Sequence, residues 1–156
     1  MARKIRNVKT RSRWSRENTT INVVSPTSNT YQTFGTNIVP ASTIQGMRTV
    51  GNFTITLTSG SETSSGDGNG PVYWALVYVP QGQTTASLNI NNGASLYEPN
   101  QYVIACGVND PTAGPIRIRT RMMRKLNSGD FVSLLMSTAN KGALWFGAVS
   151  YSVKYN

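Results

Sequence analysis

In Gly51-Asn52-Phe53-Thr54-Ile55-Thr56-Leu57-Thr58, the apolar side chains Phe53, Ile55 and Leu57 alternate with Asn52, Thr54, Thr56 and Thr58. A period of two is that of a strand, whose successive side chains point to opposite faces, so this segment predicts a strand with one buried and one wet face. Downstream, Val72–Val79 (VYWALVYV) is apolar at both parities. That pattern predicts a strand in the interior of a sheet, or one whose outer face meets another subunit. Further strands are predicted over 20–24, 31–34, 101–108, 115–123, 131–138 and 144–155. In the last, Trp145, Val149, Tyr151, Val153 and Tyr155 share one parity. Cys106 shares a parity with Tyr102, Ile104 and Val108, which predicts a buried, inert thiol.

The segments between these runs are rich in turn formers. Residues 59–70 (SGSETSSGDGNG) predict a loop, and Gly82, Asn91-Asn92-Gly93, Asp110-Pro111, Asn127-Ser128-Gly129 and Lys141-Gly142 predict turns. Helical periodicity is confined to a turn around residues 94–97. About eight strands at short intervals in a chain of 156 residues predict an all-β fold: a single eight-stranded jelly-roll sandwich. An immunoglobulin-like sandwich is the competing topology, but its Cys, Trp, Cys framework is absent.

Charge divides the chain unevenly. Arg3, Lys4, Arg6, Lys9, Arg11, Arg13 and Arg16 lie in the first sixteen positions, ahead of the first acid, Glu17. Residues 1–16 therefore carry +7, while eight basic and six acidic residues leave only +2 on 17–156. A cationic segment with so little apolar content cannot offset its chain entropy by burial, so 1–16 is expected to be a disordered basic arm and 17–156 the folded domain. Such an arm suits nucleic-acid phosphates, where each cation releases condensed counterions; a solvated or targeting tail is the simpler alternative. Beyond the arm, 14 charged residues in 140 positions fall well below the roughly 25% of ordinary soluble domains. A surface so weakly charged has little self-repulsion, which favours association between copies. A Ser/Thr-rich face on an ordinary sandwich would have the same composition.

Chemistry is sparsely provided for. With no histidine and a single cysteine, imidazole metal sites, His-dependent triads and intrachain disulfides are excluded. Glu62, Asp67, Glu98, Asp110 and Asp130 are spread across different loops, so no acid/base pair is evident. The Gly66–Gly70 run lacks the glycine and glutamate that would complete a calcium loop. No enzymatic activity, metal or cofactor is expected. No apolar run reaches membrane-spanning length, and neither a signal peptide nor membrane insertion is expected.

One internal pattern stands apart. In Ile116-Arg117-Ile118-Arg119-Thr120-Arg121-Met122, alternation puts Arg117, Arg119 and Arg121 on one face and Ile116, Ile118 and Met122 on the other, with Arg124 and Lys125 close behind. Same-face neighbours on a strand lie about 6.6 Å apart, comparable with phosphate spacing along a single strand. Such a row suits a nucleic-acid backbone; it equally suits carboxylates on adjacent strands, or water.

Three segments carry a resemblance to a known family. They are Val72-Tyr73-Trp74-Ala75-Leu76-Val77-Tyr78-Val79-Pro80, then Leu96-Tyr97-Glu98-Pro99-Asn100-Gln101-Tyr102-Val103-Ile104 followed by Gly107, then Arg124-Lys125-Leu126-Asn127-Ser128-Gly129-Asp130. In this order they resemble the capsid proteins of small circular, Rep-encoding, single-stranded DNA viruses, the circovirus-like group. The similarity runs from about residue 70 to the C-terminus, whereas the arm agrees in charge only and is shorter and less arginine-dense. The resemblance implies a jelly roll, sixty copies in the smallest icosahedral shell, an arm facing a packaged single-stranded DNA genome, and import into the host nucleus by host machinery through that arm. The expected function is thus a non-catalytic capsid subunit, located in the virion and in the host nucleus during assembly. Its partners are further copies of itself and the genome, bound by the seven arm cations with Arg117, Arg119 and Arg121. A cellular single-stranded nucleic-acid-binding β-barrel, stacking bases on Trp14 and exposed tyrosines, is the main alternative. A lectin-like jelly roll is disfavoured by the cationic arm.

Overall fold

The computed structural model describes residues 13–27, 32–60, 70–85, 102–139 and 142–155. Among them are eight strands: β1 (Ser15–Val24), β2 (Gln32–Val39), β3 (Arg48–Ser59), β4 (Val72–Val79), β5 (Val103–Asn109), β6 (Ile116–Leu126), β7 (Phe131–Thr138) and β8 (Leu144–Tyr155). They form two antiparallel four-stranded sheets, ordered β1-β8-β3-β6 and β2-β7-β4-β5. The fold is an all-β sandwich. Apart from the β4–β5 pair, each strand lies in the opposite sheet from the one before it.

Alternation explains the core. Phe53, Ile55 and Leu57 of β3 are fully buried, as are Trp145 and Val149 of β8. They join Val72 and Leu76 of β4 and Val132, Leu134 and Met136 of β7 in one cluster between the sheets. Each such side chain contributes about 1.5–3 kcal/mol of transfer free energy, so the register that buries them is strongly set. The β3–β8 contact is also very close at Gly147, where a Cβ would strike the carbonyl oxygen of Thr56. The strand β4 lies between β7 and β5, as its doubly apolar sequence predicts. Its second face contributes Ala75, Val77 and Val79 to a smaller buried cluster with Leu135, against which Tyr102 and Phe131 pack.

Turn chemistry closes the ends. Asp110 caps a 3-10 turn over Pro111–Ala113. Its carboxylate accepts from the Thr112 hydroxyl at 2.6 Å and amide at 2.9 Å, and these bonds hold its pKa below the usual carboxylate range. Between β6 and β7, Gly129 has φ 83°, a left-handed value that favours glycine. There the buried Asp130 carboxylate accepts from the Asn127 amide at 2.7 Å, the Tyr78 hydroxyl at 2.9 Å and the Gln81 amide at 3.0 Å. The Asn127-Ser128-Gly129-Asp130 segment therefore ties the β6–β7 turn to the end of β4.

The structure corrects several expectations. Cys106 is exposed, not buried. It lies on the edge strand β5, where the register against β4 shifts between Leu76 and Val77. That irregularity breaks the period of two: Ile104 packs on the inter-sheet core while Tyr102 packs on the smaller cluster. Met122 is 58% exposed rather than buried with Ile116 and Ile118, because β3 and β6 are out of step between Gly51 and Phe53. Tyr155, at the end of β8, is 55% exposed although it has the parity of the core residues. The strand β1 begins at Ser15, so Ser15 and Arg16, counted above with the arm, pair with Val153 and Ser152 of β8. The remainder of β1, and β2 as a whole, are longer than the runs 20–24 and 31–34 suggest. The expected disorder of residues 1–12, most of the loop at 59–70 and the helical turn at 94–97 lie outside the described residues.

Candidate nucleic-acid interface

On β6 the alternation of buried Ile116 and Ile118 with exposed Arg117 and Arg119 holds, and Arg121 is exposed beyond them. Arg117 pairs across to Thr56 and Arg119 to Thr54, both on the side of β3 that faces away from Phe53, Ile55 and Leu57. The row therefore stands on the outer face of the β1-β8-β3-β6 sheet. Thr56 in turn pairs with Ala148 and Thr54 with Ser150 on β8, and these pair with Thr20 and Asn18 on β1. Threonine, serine and asparagine thus make up most of the middle of this face.

Three cations join the row. Lys125 pairs with Thr49, and Thr49 with Lys154; buried Arg48, Leu126 and Val153 adjoin them, so alternation turns both lysines outward. Arg16 pairs with Ser152, and its Nη2 donates to Ser150 Oγ at 2.5 Å, which lays the guanidinium across β8 on the same face. Of the three acids among the described residues, two are bound in turns and the exposed Glu17 has the opposite parity to Arg16 on β1. Asp130 and Asp110 are bound in their turns, and Glu17 pairs with the inward-facing Tyr151. Among the described residues no ion pair joins the six cations to a carboxylate. Among the described residues the face has one sign of charge in a polar surround, a geometry that raises the local concentration of a polyanion.

The sequence-predicted site is thus partly assembled. Arg117, Arg119, Arg121 and Arg16 share one face, and Arg13 is exposed just ahead of β1. Arg3, Lys4, Arg6, Lys9 and Arg11 lie outside the described residues. Arg124 leaves the row: its guanidinium carbon sits 4.4 Å from the Tyr78 ring centroid, a cation–π contact, and Tyr78 stacks with Tyr102 at 6.2 Å. Lys154 was missed by sequence reasoning, although its parity opposite Val153 and Tyr151 marks it as outward-facing. Arg48 is a different case. It is 7% exposed and donates through Nη2 to the carbonyls of Pro40 and Asp130, a structural role its sequence context does not announce.

No family model matches the chain, and no curated protein matches it.

Proposed function

We propose that the protein is a capsid subunit of a small single-stranded DNA virus, with a jelly-roll fold, that self-assembles into a closed shell and binds its genome without sequence preference. The strand orders β1-β8-β3-β6 and β2-β7-β4-β5 support the jelly-roll reading, since two Greek keys folded over one another produce this interleaving. The observation that carries the functional reading is the outer face of the first sheet, where, among the described residues, Arg16, Arg117, Arg119, Arg121, Lys125 and Lys154 stand without an ion pair to a carboxylate. In this reading the face and the arm line the shell interior, and neutralisation of phosphate supplies most of the binding. Exposed Ile44 and Met47, ahead of β3, give the subunit apolar surface for contacts with its copies. The subunit binds and assembles and performs no catalysis; the arm also serves as the signal for entry into the host nucleus.

The test is expression of the full chain and of the triple variant Arg117→Gln, Arg119→Gln, Arg121→Gln, followed by sedimentation, negative-stain microscopy and nucleic-acid content. The wild type should form closed particles near sixty subunits. The variant should fold and assemble, because the three side chains are exposed, but should retain less nucleic acid. Monomers or dimers across salt and pH would overturn the capsid reading in favour of a cellular single-stranded nucleic-acid-binding protein.

A further inference from the structure

The basic face is not uniform. At Asn52, where φ is 53°, β3 carries an extra residue: Gly51 and Thr54 pair with Ser152 and Ser150 on β8, three residues along one strand against two along the other. Against β6 the mismatch is reversed, with Gly51 and Phe53 pairing Met123 and Thr120. A bulge bends its strand and strengthens the local twist, and the sheet here has an open concavity of about 360 Å³. Arg16, Arg119 and Arg121 line it, together with Asn52, Thr54 and Thr120. The guanidiniums arrive from opposite sides. Arg119 and Arg121 come from the edge strand β6, and Arg16 from the opposite edge strand β1, held across β8 by its bond to Ser150.

Three guanidiniums around one concavity repel one another unless an anion lies between them. Each presents a planar fork of N–H donors matched to phosphate oxygens, and Asn52 and Thr54 add neutral polar residues to the lining. Arg117, Lys125 and Lys154 share the face but do not line the concavity. We infer that the concavity is a phosphate clamp, in which one backbone phosphate of a single-stranded nucleic acid sits between Arg16, Arg119 and Arg121, while the other cations of the face add diffuse attraction. This inference rests on the reading of the face as a nucleic-acid interface.

The experiment measures binding of the full chain to a fluorescent oligothymidylate by anisotropy at several salt concentrations, with thermal melts confirming that each variant folds. Arg119→Gln and Arg121→Gln should each weaken binding about tenfold or more, because a charge-assisted bond in a shaped site is lost. Arg117→Gln, Lys125→Gln and Lys154→Gln should each cost about threefold or less at the same salt. Arg119→Lys should restore the salt slope but not the affinity, since a point charge cannot reproduce the fork. Inorganic phosphate should raise the melting temperature of the wild type more than that of Arg119→Gln. Equal losses at all five substituted cations, full rescue by Arg119→Lys, or an equal phosphate effect on both proteins would overturn the clamp and leave the basic face standing. Absence of oligothymidylate binding by the wild type at low salt would overturn both.

Discussion

Replacing Asp130 with alanine tests whether the β6–β7 turn holds this end of the sandwich together. Asp130 is 3% exposed, and its carboxylate accepts three hydrogen bonds, from Asn127 N at 2.7 Å, Tyr78 OH at 2.9 Å and Gln81 N at 3.0 Å. Bonds to a charged group are worth about 1.5–3 kcal/mol each. The three donors are only partly buried, so water can reach them after truncation and the lower end applies. The expected loss is about 4–5 kcal/mol, a large share of the 5–15 kcal/mol that stabilises a typical domain. At roughly 2–4 °C per kcal/mol for a chain of this size, the melting temperature should fall by about 8–20 °C. Asp130→Asn keeps one acceptor oxygen but sets an amide NH₂ where the other oxygen stood, so about half the loss is expected. Tyr78→Phe removes one donor and should cost about 1.5 kcal/mol. Urea unfolding followed by fluorescence of the buried Trp145, at one protein concentration because self-association shifts apparent stability, measures all three. Residues in contact couple, so Asp130→Ala and Tyr78→Phe should combine to less than their sum. A fall of less than about 3 °C for Asp130→Ala, or strict additivity in that cycle, would refute the assignment of the turn as an anchor.

Two further outcomes follow from the same structure. Burial raises the pKa values of Tyr78 and Tyr151 above 10.0, and for Tyr78 the hydrogen bond to Asp130 raises it further. The folded state therefore holds these protons more tightly than the unfolded chain. The resulting stabilisation is complete below pH 10.0 and is lost as pH rises through the raised folded values; urea midpoints should drop above that pH, less so in Tyr151→Phe, and an unchanged drop in that variant would sink the explanation. Deleting residues 2–12 removes Arg3, Lys4, Arg6, Lys9 and Arg11. The logarithmic salt slope for single strands should shrink by about 3.5 at roughly 0.7 per lost contact, with the melting temperature unchanged. Deletion through Arg16 should also lower the melting temperature, because it removes the start of β1; equal melting temperatures for the two truncations would contradict that boundary.

Much of the architecture was legible in local alternation. The stretch around Phe53, Ile55 and Leu57 became β3, the doubly apolar run became β4 from Val72 to Val79, and Arg117 and Arg119 stand opposite Ile116 and Ile118. A period of two is enforced residue by residue by backbone geometry, so it can be read without knowing any partner strand. The count of eight strands among the described residues is legible for the same reason, because glycine, asparagine and proline interrupt the chain through their own backbone preferences.

What alternation cannot carry is register between strands far apart in sequence. Cys106 has the parity of a buried residue, yet the shift opposite Leu76 and Val77 leaves it exposed. Met122 continues the pattern of Ile116 and Ile118, yet the mismatch opposite Asn52 leaves it in solvent. Arg48 and Arg16 look like surface cations in the sequence. One is buried under the Pro40 and Asp130 carbonyls, and the other is drawn from the arm onto the face of a sheet whose opposite edge carries the arginine row. The sequence by itself determined which segments are strands and which of their faces are apolar. Only the tertiary structure decided which strands became neighbours and where their registers slip, and so which cations meet, because pairing and bulges are set by packing against segments up to a hundred or more residues away.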